Sequence, residues 1–110
     1  MDHIRLKTML EPDPPKSMRI GRDRTAELTL SGAVEFKLYD AAIFVYDKEA
    51  RRAVLDLCGF WTSAVVSAQK EYALACGLDI SPSIKRGQYL AIYRGNKHLP
   101  GHNGKITIEF

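Results

Sequence analysis

His98 and His102 stand four residues apart, a spacing that on a helix would aim two imidazoles at one metal ion. Both fall instead within RGNKHLPGHNGK, a Pro- and Gly-rich stretch that reads as a long loop, and no cysteine or carboxylate cluster accompanies them. No metal site is expected. Cys58 and Cys76 belong to no CxxC pair, and no histidine is marked as a base for either. A helix between them would hold its two ends roughly 20 Å apart at 1.5 Å per residue, too far for a disulfide, so both read as small buried hydrophobes. Ser63 and Ser67 lack a glycine elbow. GNKHLPGHNGK is glycine-rich but matches neither the phosphate-binding loop nor the dinucleotide fingerprint. The carboxylates are scattered, with no pair set apart for acid–base work. The chain therefore reads as non-enzymatic, with no catalytic residue and no cofactor.

What remains is recognition chemistry. Lys85, Arg86, Arg94 and Lys97, interleaved with Tyr89 and Tyr93, combine charges suited to phosphate with rings suited to stacking. The same residue types dominate protein–protein hot spots. Tyr93 and Arg94 beside the C-terminal loop are the preferred contacts, with Tyr39, Phe44 and Tyr46 on an outer sheet face as the other group. Charge is distributed in keeping with this: residues 80–110 carry five basic and one acidic side chain, whereas 25–79 carry five and eight. The net formal charge is +3. There is no RNP-like aromatic pattern and no helix–turn–helix pair, which leaves nucleic acid as the alternative partner to a protein or ribonucleoprotein complex.

The element that must position these groups is CGFWTSAVVSAQKEYALACGL, residues 58–78. Ser63, or alternatively Thr62, is suited to cap a helix. No proline or glycine interrupts Ala64–Cys76, and several alanines raise its helix propensity. Gly77 sits where a left-handed residue closes a helix, followed by Leu78 for the accompanying apolar contact. At about 100° per residue, Val65, Val66, Gln69, Tyr72, Ala73 and Cys76 share one face. Gln69, near its centre, reads as a satisfied buried amide.

Around this helix lie short β-like segments. Ile4, Leu6, Met9 and Leu10 alternate loosely enough for an edge strand, and EPDPPK at 11–16 forces a stiff turn. Residues 1–24 are expected to be an N-terminal arm or edge strand with a Pro-rich turn, and 25–110 a single α+β domain. Leu28 and Leu30, the Ser31-Gly32 turn, and alternating Val34, Phe36 and Leu38 predict a hairpin. AIFVY at 42–46 is apolar on both faces, and Ala53, Leu55 and Leu57 mark a fourth strand. After the helix, SIKRG, QYLAIY and KITIEF are strand-like, with Leu90 and Ile92 expected on the core face. The prediction is an antiparallel sheet of four to six strands with one covering helix, in the order β–β–β–β–α–β–β. A chain of 110 residues can bury one core without staples. No apolar run approaches the ~20 residues of a membrane span, and the N-terminus lacks a secretory core, so the cytosol is the expected location and no membrane partner is expected.

The segment GFWTSAVVSAQKEYALACGLDISPSIKRGQYLAIY resembles a pattern in small orphan proteins of bacteriophages and plasmids. There a glycine-aromatic corner and a Ser/Thr-rich helix start lead into a glycine-closed helix and a strand of the form basic-Gly-x-aromatic. Proteins of this kind include counter-defence factors, among them anti-CRISPR proteins that bind and block a CRISPR effector. The resemblance covers about a third of the chain and carries no functional residue across. It implies a stoichiometric inhibitor working in a host cytosol, and a sequence pI near 9.0 argues against DNA mimicry as its mode.

Overall fold

In the computed structural model, which describes residues 3–110, the central helix runs Ser63–Ala75 and is the eleven-element fold's only long one. Thr62 is its N-cap, accepting from the Val65 N–H at 3.3 Å. Its far end closes in a Schellman turn: Gly77 takes φ +80°, its N–H donates to Leu74, and the Leu78 N–H donates to Ala73. Val65, Ala68, Gln69, Tyr72 and Ala73 are its buried residues, and Val66 and Cys76 pack at their margin.

Five strands precede this helix, here α2: β1 (Ser17–Gly21), β2 (Arg24–Leu28), β3 (Val34–Leu38), β4 (Ala41–Asp47) and β5 (Arg52–Leu55). Four follow: β6 (Ile80–Lys85), β7 (Gln88–Tyr93), β8 (Asn96–His98) and β9 (Ile106–Glu109). All pairings are antiparallel, and they form two sheets, β1-β2-β3-β4-β5-β9 and β6-β7-β8. The fold is α+β. No helix of the described residues is long and apolar enough to cross a membrane.

The large sheet shows the two-residue period plainly. Val34, Phe36 and Leu38 of β3 are buried, while Glu35 and Lys37 point to the outer face. There Lys37 reaches Glu27 at 2.6 Å, and the favourable contact raises its pKa. Glu27 lies directly opposite Glu35, so the lysine also offsets a like-charge pair across the strands. Phe44 is the cross-strand partner of Phe36 and shares its inward face. The outer face was the expected place for Phe44 and Tyr46; Phe44 is fully buried and Tyr46 half-buried at the edge of the core. Register decides this: the Val34–Tyr46 and Phe36–Phe44 pairs share a side, and Val45 and Val54 take the other.

Between Phe36 and Lys37 the pairing slips by one residue, which makes Ile43 a bulge. Ile43 and Phe44 are consequently both fully buried. This accounts for an AIFVY run that is apolar at consecutive positions.

The N-terminal stretch forms a short helix, α1 (His3–Thr8), not the expected strand. Leu6 and Met9, three apart, face the core, whereas Ile4 is exposed. That spacing is helical, and the Leu6–Leu10 interval of four agrees with it. Residues 1 and 2 of the expected arm lie outside the described residues. The remainder is more than an arm: Leu6, Met9 and Ile20 join the main core, and β1 pairs with β2. Ile80–Pro82, ahead of the strand-like SIKRG, is also strand, within β6. Pro82 is accommodated because β6 is an edge strand, where a missing N–H leaves no ladder bond unmade.

Candidate partner-binding surface

Asp56, one residue past β5, begins the corner that turns the chain into α2. Its Oδ1 accepts from the Cys58 N–H at 2.8 Å, closing an Asx turn. Cys58 and Gly59 follow with φ of +52° and +81°. A cysteine in the left-handed region is strained, and the surroundings hold it there: its thiol donates to the Ala42 carbonyl at 3.3 Å. The Phe60 N–H then bonds Leu57, and the Thr62 N–H bonds Phe60, both at 2.9 Å. Phe60 and Trp61 are carried outward by this corner and stand 51% and 55% exposed. Two adjacent large aromatics half in water are costly to leave bare, because their apolar area is what a partner would cover.

Trp61 is not loose. Its ring meets Tyr89 edge-on, with centroids 6.3 Å apart and planes at 70°. Tyr89 is fixed in turn by donating its hydroxyl to Gln69 Oε1 at 2.8 Å. Gln69 Nε2 donates to the carbonyls of Ile43, at 2.9 Å, and Asp56, at 3.2 Å. One buried amide thus ties together the bulge, the start of the aromatic corner and the small sheet. Every polar atom of Gln69 has a partner, as the reading of a satisfied amide requires. Burial drives the Tyr89 hydroxyl far above its ordinary pKa, which keeps it a donor. Burial and the neighbouring Asp56 push up the Cys58 thiol, so it is protonated and unsuited to nucleophilic attack at neutral pH.

The residues nominated from sequence are placed differently. Tyr89 and Tyr93 are buried at 2% and 7% and Phe44 at 0%, so none of the three presents a ring to a partner. Along β7 the inward set is Tyr89, Ala91 and Tyr93; Ile92 is exposed, and Leu90, though buried, lies outside the main core. The expected face was the reverse. Alternation defines two faces equally well, and here α2 and Gln69 claim the one bearing the aromatics.

Lys85 and Arg86 occupy the β6–β7 turn, whereas Arg94 and Lys97 flank the β7–β8 turn. All four are exposed, but the six residues of β7 keep the two groups about 20 Å apart at ~3.3 Å per residue. The basic C-terminal third is therefore two separate tips and not one patch. At the second tip the Arg94 guanidinium lies 5.2 Å from the Tyr93 ring centroid, a cation–π contact. Tyr39 is exposed, at the tip of the β3–β4 hairpin rather than on a sheet face. His98 lies on β8 and His102 in the following loop. Among the described residues no three His, Cys, Asp or Glu side chains gather as a metal site.

Sequence reasoning named the Phe60–Trp61 corner as a structural junction and passed over it as a surface. The available signal was two consecutive aromatics between a glycine and a helix cap, where neither can enter the helix's buried face. No protein-family model, curated protein or solved structure matches the chain.

Proposed function

We propose that this is a non-enzymatic binding protein that acts stoichiometrically, seating Phe60 and Trp61 on a protein or ribonucleoprotein surface. The observation that carries the reading is the exposure of two consecutive aromatics on a corner whose backbone is fixed by four hydrogen bonds before any partner arrives. Preorganised aromatic anchors bind with little ordering cost, which is why such residues dominate hot spots. The resemblance to phage and plasmid counter-defence proteins supplies the partner class: a host defence complex such as a CRISPR effector, met in the host cytosol. Arg94, exposed at the second basic tip, is a secondary contact in this reading.

Trp61 is the chain's single tryptophan and reports on its own site. Titrating a CRISPR effector complex should shift Trp61 emission to the blue, with an end point at a fixed molar ratio and loss of effector activity at the same ratio. Trp61→Ala should abolish the inhibition. Inhibition that grows with time at strongly substoichiometric protein would show turnover and overturn the reading, as would full inhibition by Trp61→Ala.

A further inference from the structure

Between the proline-rich loop, with Met9 and Leu10 ahead of it, and the large sheet lies a cleft of about 500 Å³ that the aromatic corner does not line. That volume is in the range of small-molecule sites. Its floor is apolar: Met9 and Val34 are buried there, and Leu10 and Leu28 are half-buried beside them. Tyr46 forms an aromatic wall, its ring held by stacking on Phe110 with centroids 5.6 Å apart and planes 7° apart. The rim has a different chemistry. Glu11, Asp13 and Glu49 line it against a single lysine, Lys48. In a chain with sixteen basic and thirteen acidic side chains, a local excess of three carboxylates to one amine runs against the overall charge.

The loop that carries two of these carboxylates is stiff. Pro12 and Pro14 flank Asp13, which takes φ +56°, although a residue before proline is normally confined to extended backbone. The backbone at the mouth is thus shaped before a ligand enters, and its carboxylate-bearing residues line the cleft above an apolar floor.

We propose that this cleft binds a small organic cation, with an apolar body resting on Met9, Leu28, Val34 and Tyr46 and one ammonium group at the acidic rim. An aromatic wall favours a cation for the same electrostatic reason as the carboxylates do. An anionic ligand would meet the rim charge unfavourably, and a purely apolar one would leave it unused. The site goes beyond the binding function proposed above and does not depend on it.

The test uses the full chain, ¹⁵N-labelled, titrated with three probes that share one body: 4-phenylbutylamine, 4-phenylbutanol and 4-phenylbutanoate. The expected result is a saturable shift of amides around Leu10, Leu28, Val34 and Tyr46, with the amine binding roughly two- to fivefold more tightly than the alcohol, as partly screened exposed charge pairs allow, and the acid weakest. Glu11→Gln combined with Glu49→Gln, both at exposed positions, should bring amine and alcohol close to parity while the spectrum stays folded. Raising the salt concentration should erode the same preference. Absence of saturable shifts at millimolar probe, shifts centred elsewhere, or equal affinity for all three probes would each overturn the proposal.

Discussion

The molecule places aromatic rings in two contrasting settings at opposite ends of α2. Phe36, Phe44 and Tyr72 form a sealed stack: Tyr72 lies 5.0 Å from Phe36 at 26°, Phe36 lies 6.0 Å from Phe44, and all three are fully buried. The Tyr72 hydroxyl is satisfied by the Lys37 carbonyl at 2.8 Å, beside the bulge. At the helix's other end Phe60 and Trp61 share the chemistry but face water, with only the edge of Tyr89 behind Trp61. The first group gains its free energy on folding, because its apolar area is already removed from water. The second keeps much of that free energy in reserve until something covers it. Rings of one kind therefore serve stability in one place and recognition in the other, and substitutions separate the two roles.

Removing Tyr72 should have the largest effect. Tyr72→Ala opens a cavity against Phe36 and strands the Lys37 carbonyl, at a cost of roughly 3–5 kcal/mol, seen as a large fall in the urea midpoint. An unchanged midpoint would mean that the buried stack is not what holds α2 to the sheet.

Gln69→Leu comes next. It keeps the volume but leaves the Tyr89 hydroxyl without its acceptor and the Asp56 carbonyl without its donor, which should cost about 2–3 kcal/mol. Because Tyr89 backs Trp61, near-ultraviolet dichroism of the tryptophan should weaken even under conditions where the protein remains folded. A Trp61 signal indifferent to Gln69→Leu would sever the link between the sealed and exposed rings.

Alkali should act on the buried groups by a separate route. Burial raises the Cys76 thiol and the Tyr72 hydroxyl to about 12, and raises Tyr89 further. Each group is neutral in the folded protein up to a higher pH than in the unfolded chain. Their contribution is therefore fully present below their unfolded values, near 9 for the thiol and 10 for the phenols, and is lost as pH rises toward 12. Denaturant midpoints should decline across that window, and Cys76→Ala should delay the onset. A flat profile to pH 12 would contradict the burial of these groups.

The smallest change in stability belongs to the exposed pair. Trp61→Ala should alter unfolding free energy by no more than about 1 kcal/mol, since the residue is already half exposed and its ring contact with Tyr89 is edge-on. A destabilisation as large as that of Tyr72→Ala would make the corner part of the core and remove the contrast.

How much of this was legible in advance follows from the range of each interaction. Helix α2 could be read directly, since capping, propensity and the Gly77 closure are decided within a few neighbouring residues. The β2–β3 hairpin was legible for the same reason, as was the satisfied state of Gln69, because a buried amide has few alternatives. Helix α1 was not, because Leu6, Met9 and Leu10 fit a loose alternation as well as a helical interval until Ile20 and the sheet supply something to bury them against. The candidate site was the least legible. Tyr89, Tyr93 and Phe44 read as surface rings, while Phe60 and Trp61 read only as the corner into the helix, and composition is identical in either arrangement.

By itself, then, the order of residues determined helix α2 with its glycine closure, the β2–β3 turn and the α+β class, all consequences of local conformational energy. Which side of β7 turns inward and that Ile43 bulges were decided only by tertiary structure. A strand's two faces are equivalent until a partner surface buries one of them. The register that chooses between them is set by contacts such as Gln69 with Ile43 and Tyr89, which join positions far apart in the chain.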